Sequence, residues 1–317
     1  MLRRRHLLAT AALAPIAAPH IANAQAQRTV KMGSLRLIHS MTPHFYERFA
    51  PANLKIEITT FDSPTDGKNA VVTNSVNFGG FGIAAALLGG AAGEPVVVVG
   101  AFCNKGMGVV SKAGGPVRSI ADLRGKRIGI WPGSTQEVFI LERLRQSGMT
   151  VRDVTAVRVP FGEMHAMLSR GDIDAYVGAE PGPGLSISTG VGQLVEYPYA
   201  TAMGGLNMIF ATSEQQIAQD PALVRTMLGI HRRASEFMMA NPREVADATV
   251  RILGAPRGAV DQALGASNVE YTWKLDDTVL GQARAYAQQM LEMRQIRQLP
   301  NFNTFLNPRF SNEIATA

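Results

Sequence analysis

The chain has 317 residues, 46% of them hydrophobic and 18% charged, an ordinary globular balance with ample material for a core. Its formal charge is +6, but Arg3, Arg4 and Arg5 supply half of it, and no Lys/Arg run follows them, which argues against nucleic acid as a partner. The single cysteine, Cys103, excludes an internal disulfide and reads as a small buried hydrophobe rather than a nucleophile.

The first elements in chain order form an export leader. Three arginines precede an Ala-rich apolar stretch over residues 7–18, which ends at the small-x-small pattern Ala22-Asn23-Ala24. The apolar stretch is too short to span a bilayer, and Pro15 interrupts it. Arg4-Arg5-His6-Leu7-Leu8 resembles a twin-arginine signal; an ordinary secretory leader with a basic start is the alternative. The working protein is expected to begin near Gln25, in the periplasm. No cysteine stands at the cleavage site to carry a lipid, so a soluble, unanchored monomer is expected.

Residues 29–38 contain a strand, 41–49 read as a helix, and 55–61 form a strand that alternates apolar and polar residues. The most apolar stretch, residues 78–102, is broken by glycines, Glu94 and Pro95. It reads as a strand end, a glycine turn at 79–82, a buried helix at 83–88, and a strand at 95–102. Val96 to Val99 lack alternation, which suggests a strand buried on both faces, as in parallel sheets. Between residues 118 and 199 the order is clearer. A strand at 127–131 leads through Pro132-Gly133-Ser134 into a helix that runs to about residue 147, with Val138, Leu141 and Leu144 on one face and Gly148 as terminator. A strand at 156–159, a helix at 163–170 with Met164, Met167 and Leu168 inward, and a strand at 174–177 complete a doubly wound α/β unit. A strand-like run at 206–210 follows, then helices at 221–240, 243–253, 257–263 and 278–292. The chain reads as two α/β units, the second inserted into the first.

Several segments in this order carry a resemblance. They are Glu94-Pro95, Gly106-Met107-Gly108-Val109-Val110, Ile120-Ala121-Asp122-Leu123-Arg124-Gly125-Lys126-Arg127-Ile128-Gly129, Gly133-Ser134-Thr135, Gly171-Asp172-Ile173-Asp174-Ala175 and Glu180-Pro181. Together they resemble the periplasmic substrate-binding proteins of ABC importers, in the group that handles nitrate, aliphatic sulfonates, taurine and thiamine-pyrimidine precursors. The resemblance implies a two-domain periplasmic-binding-protein fold of type II, with each domain a doubly wound sheet. Domain 1 would comprise residues 25–105 plus 206–317 and domain 2 residues 106–205, joined by crossings near 105–110 and 204–208. A small, anionic solute would be held in the cleft by hinge closure and passed to a membrane permease.

Ligands of open α/β sheets sit beyond the carboxyl ends of strands, where free amides at helix N-termini receive anions. Ser134 and Thr135 after the strand at 127–131, and Gly80, Phe81 and Gly82 before the helix at 83–88, are therefore candidate contacts, one set from each expected domain. Each has a plainer reading, as a helix cap and as a glycine turn. His39, Ser40 and Thr42 follow the first strand and form the third candidate loop. Glu180, before Pro181, is a candidate to contact a ligand amine or to fix its loop; where the family usually carries a bulky aromatic, Ala179 stands here, which implies a roomier or differently shaped pocket. Asn207 lies in the second crossing, as a ligand donor or a backbone cap. Trp131, Phe81 and Tyr176 are candidates to stack on a planar ligand or to be core.

The rival classes are an enzyme and a ligand-sensing partner of a membrane receptor. Related pyrimidine-synthesising enzymes share the implied fold but carry a Cys-rich motif, against one cysteine and an export leader here. No nucleophile elbow appears, and His39, His44, His165 and His231 are too scattered for a metal site, so neither a metal nor another cofactor is expected.

Overall fold

The described residues of this computed structural model, 27–265 and 268–316, build two β-sheets, and the leader expected at residues 1–24 lies outside them. The first part of the chain holds β1 (Arg28–Leu35), β2 (Leu54–Phe61), α1 (Pro64–Val72), β3 (Phe78–Gly82), α2 (Ile83–Ala91) and β4 (Val96–Lys105). The middle holds β5 (Met107–Lys112), β6 (Arg127–Ile130), α3 (Thr135–Gln146), β7 (Thr155–Arg158), α4 (Met164–Arg170), β8 (Ala175–Ala179), α5 (Gly182–Ser188) and β9 (Gly192–Glu196). Next come β10 (Leu206–Ser213), α6 (Glu214–Gln219), α7 (Pro221–Ala240), α8 (Pro242–Leu253) and α9 (Arg257–Gly265). Last are β11 (Val269–Tyr271), α10 (Asp277–Glu292), α11 (Phe302–Phe305) and α12 (Arg309–Ala315).

The two sheets repeat one plan. The six-stranded sheet has the order β11-β4-β10-β3-β1-β2, and the five-stranded sheet β7-β6-β8-β5-β9. β1 lies parallel to β2 and β3, and β6 parallel to β7 and β8. In each sheet the strand that arrives from the other sheet runs antiparallel to its neighbours: β10 between β3 and β4, β5 between β8 and β9. The chain passes from β4 to β5 through Lys105 and Gly106, both left-handed at φ 64° and 79°. It returns through residues 197–205.

Side-chain chemistry sets the helix boundaries. Ser63, Ser134 and Asp220 cap α1, α3 and α7, each accepting a backbone N–H from the first turn, and Pro64 and Pro221 occupy the first helical positions. The 20-residue α7 buries Leu223, Val224, Met227, Leu228, Ile230, His231 and Ala234 against the large sheet.

Four expectations need correction. The segment at 79–82 is not a turn but most of β3, all of it buried. A Cβ at Gly80 would lie 2.5 Å from the Phe102 ring, so glycine there makes room for an aromatic two strands away. β4 is buried on both faces along Val96 to Val99, yet both its sheet neighbours are antiparallel. Residues 42–48 form a 3-10 helix rather than an α-helix, with Pro43 in its first turn. In α3, Val138 and Phe139 pack into the core of the large sheet while Ile140 and Leu144 pack onto the small one, so the helix has two buried faces. Phe139 is fully buried, edge-on to Tyr199 at 5.9 Å and to Tyr286 of α10 at 5.5 Å. That ring locks the two sheets' cores together.

Candidate functional site

A cleft of about 760 Å³ opens where the carboxyl ends of four strands from the two sheets face each other. Arg36 and Leu37 follow β1, Asp62 and Ser63 connect β2 to α1, and Thr65 and Asp66 lie in the first turn of α1. Trp131 and Pro132 follow β6; Arg158 ends β7, and Pro160, Phe161 and Glu163 come next. Parallel strand ends feeding helix N-termini are where open α/β sheets hold ligands.

The small sheet supplies an aromatic wall. The Arg158 guanidinium lies 5.1 Å from the centre of the Trp131 ring, a cation–π distance, and the Phe161 ring is 6.4 Å from that ring. Among the described residues no carboxylate forms an ion pair with Arg158. The large sheet supplies a charged and hydroxylated wall. Arg36 and Asp62 form an exposed pair with Nε 3.5 Å from Oδ1, an arrangement that fixes little. Ser63 donates its hydroxyl to the Asp66 carboxylate at 2.7 Å while accepting the Asp66 N–H at 3.2 Å, which holds the Asp66 side chain at the start of α1.

Of the residues expected from the sequence, Trp131 stands in the cleft wall, whereas the expected polar and glycine contacts fall around the cleft rather than along its walls. Ser40 closes the loop after β1, accepting the Leu35 N–H at 2.8 Å and bonding the Ser34 hydroxyl at 3.0 Å. His39 is buried, its Nδ1 has no hydrogen-bond partner, and its ring is packed on Gly106. Burial pushes its pKa down to about 3, so the ring is neutral. The Thr42 hydroxyl is likewise buried without a partner. Gly80 and Phe81 lie inside β3, with Phe81 buried against Gly67 of α1.

Gly82, Thr135 and Asn207 do meet. A Cβ at Gly82 would be 2.5 Å from the Thr135 hydroxyl, and that hydroxyl donates to the Asn207 carbonyl at 3.4 Å. The Asn207 side chain donates to the Lys105 carbonyl, which ties the two crossings together. Ser134 accepts the Glu137 N–H at 3.1 Å and donates to the Trp131 carbonyl at 2.6 Å. The amide expected to receive an anion is taken by the chain itself: the Gly133 N–H donates to the Glu137 carboxylate at 2.8 Å, which also accepts from Gln295 at 3.0 Å.

Glu180 sits at the crossing, not in the cleft. Its carboxylate accepts the Gly184 N–H at 2.9 Å and the Asn268 amide at 3.1 Å; its own N–H donates to the Gly106 carbonyl at 2.9 Å. Burial pushes its pKa up to about 7, against those two bonds. Sequence reasoning missed Arg36, Asp62, Asp66, Arg158 and Phe161. The rule that pointed to residues 133–135, namely the first residues past a strand end, applies equally to all five or their immediate neighbours.

A family model described as NMT1/THI5 like matches residues 47–245. A 4-amino-5-hydroxymethyl-2-methylpyrimidine phosphate synthase of Candida albicans (strain WO-1) is 25% identical over 210 residues, 62% of this chain and 61% of that protein. The riboflavin-binding protein RibY of Chloroflexus aurantiacus is 31% identical over 148 residues, 45% of this chain and 41% of that protein. The chain thus spans about half the length of these curated relatives. Among solved structures, the alkanesulfonate-binding protein SsuA from Xanthomonas axonopodis pv. citri bound to MOPS superposes with a TM-score of 0.78 at 20% identity, over 90% of this chain and 100% of that one. That likeness fixes the two-sheet fold. Among the described residues no helix is long and apolar enough to cross a membrane.

Proposed function

The chain belongs to the NMT1/THI5-like family, and from that premise we propose that it is the solute-binding protein of an ABC importer. It captures a small organic acid between its two sheets outside the cytoplasmic membrane and delivers it to a permease. The moving bodies are residues 25–105 with 206–317 on one side and 106–205 on the other. The hinge lies at Lys105–Gly106 and the return crossing.

The cleft carries this reading: four strand ends from two sheets converge on it, and Arg158, a cation with no carboxylate partner among the described residues, stands on its aromatic wall. A volume of about 760 Å³ is of the size that encloses a small organic molecule. The sulfonate ligand class named for the structural neighbour agrees with an acid group at Arg158.

The synthase among the relatives raises catalysis as the other reading. Two observations favour binding. Cys103 is fully buried and its thiol is pushed well above its ordinary pKa, so it is no thiolate nucleophile. Among the described residues the cleft lining includes neither a histidine nor a cysteine.

Isothermal titration of the purified protein against nitrate, alkane- and arylsulfonates and carboxylates tests the proposal. One acid binds, and it is recovered chemically unchanged after prolonged incubation. Arg158→Ala weakens that binding at least tenfold, about 1.4 kcal/mol, with the unfolding midpoint unmoved. Conversion of the solute to product, or equal affinity in the variant, overturns the assignment.

A further inference from the structure

On the solute-binding reading of this cleft, we propose that the solute is a planar aromatic acid that also carries a basic or hydrogen-donating nitrogen on the edge opposite its acid group. Three observations lead there. The first is charge balance. The cleft is lined by Arg36 and Arg158 against Asp62, Asp66 and Glu163. A bare anion gains at Arg158 and loses to the carboxylates around it, so net charge gives it no welcome. A solute with charges or donors of both kinds satisfies both walls.

The second is how those charges are distributed. Arg158 belongs to the small sheet and has no ion-pair partner among the described residues. On the opposite wall Arg36 has Asp62 as an exposed partner, which leaves Asp66 as the carboxylate there without a basic partner among the described residues. Its one hydrogen-bonding side-chain neighbour, Ser63, donates to Oδ2 and leaves Oδ1 to accept from a solute N–H. Glu163 is exposed and stands on the same sheet as Arg158, so Asp66 is the carboxylate that faces Arg158 from the other sheet, and a solute bridging Arg158 to Asp66 has its two anchors on different sheets. A solute that spans both holds the sheets together, which is what hinge closure requires.

The third is the surface between the anchors. Trp131 and Phe161, with rings 6.4 Å apart, offer a half-buried aromatic wall beside the guanidinium of Arg158. A flat ring packs on such a wall and gains from it at low conformational cost. A compact inorganic anion would leave most of the 760 Å³ to water.

Titration calorimetry at pH 7 with five probes separates the requirements. 4-(Aminomethyl)benzoate has ring, acid and cationic nitrogen. Benzoate lacks the nitrogen, benzylamine lacks the acid, 6-aminohexanoate lacks the ring, and propanesulfonate is an acyclic acid alone. The first is expected to bind at least tenfold tighter than each of the others. Trp131→Ala should erase its advantage over 6-aminohexanoate, and Asp66→Asn its advantage over benzoate. Benzoate or propanesulfonate binding as tightly as the first probe overturns the aromatic-zwitterion class and leaves the solute-binding reading standing. Absence of binding by all five also overturns the class, and the broader acid panel then judges the parent reading separately.

Discussion

At the residue scale, Glu180 and the buried histidines make opposite demands on pH. His39 and His231 are held neutral, with pKa values pushed down to about 3 and about 4 by burial, so the unfolded chain binds more protons than the folded one as pH falls below 6.5. Their contribution to stability is present above 6.5 and is lost on acidification. Glu180 is the reverse case. Its pKa rises from 4.5 unfolded to about 7 folded, so the folded state holds the extra proton between those values. Its contribution is present below 4.5 and is lost as pH rises through 7, a loss of about 3 kcal/mol. The unfolded histidines are still half protonated at pH 6.5, so around pH 7 their gain opposes the Glu180 loss, and the Glu180 effect is read as the difference between the wild type and a variant without the carboxyl. Urea unfolding of the wild type and Glu180→Gln across pH 5 to 8 checks this: the wild type loses stability relative to the variant as pH rises from 5 to about 7, and the gap then levels off. Parallel profiles would mean that the carboxyl is not held protonated by its surroundings. The sequence marked Glu180 as a residue of interest, but burial beside Gly184 and Asn268 depends on the crossing, and no local pattern encodes that.

At the element scale, legibility follows how local the determinants are. α7 is readable end to end because Asp220, Pro221 and an apolar stripe all lie within it. β3 is not, because its glycines disfavour a strand locally, and the reason for Gly80 is Phe102, which reaches it from β4. The cleft residues Arg36, Asp62 and Arg158 look like ordinary solvated charges at strand ends until the second sheet stands opposite. The N-terminus of α3 shows the same limit. Ser134 is legible as a cap, but its bond to the Trp131 carbonyl and the Glu137 carboxylate closing over Gly133 turn the expected anion receptor into a brace for the aromatic wall. Ser134→Ala should therefore lower stability by about 1 kcal/mol, the ordinary worth of an N-cap, as read from the urea midpoint. It should change solute affinity less than Arg158→Ala does. An affinity loss matching that of Arg158→Ala would restore Ser134 as a direct contact.

At the scale of the whole molecule, the two sheets meet at a cleft on one side and at an apolar joint on the other. The joint is Phe139 between Tyr199 and Tyr286, supported by the Thr135–Asn207 and Glu137–Gln295 hydrogen bonds. Moving the proposed bodies apart has to expose some of that ring, and full exposure of a buried Phe costs about 1.5–3 kcal/mol. The joint thus favours the arrangement seen here before any solute arrives, so less of the binding energy is spent on closure. Phe139→Ala removes this bias. Without solute, the variant should show a larger radius of gyration by small-angle scattering than the wild type. With saturating solute it should return to the wild-type curve. Its affinity should be lower, by up to the factor by which the closed population has dropped, although Phe139 does not line the cleft. Superimposable curves for variant and wild type in both states would remove the hinge and leave the cleft a rigid pocket. A larger variant radius that persists with solute bound would separate closure from binding, and the joint would then be a structural core alone.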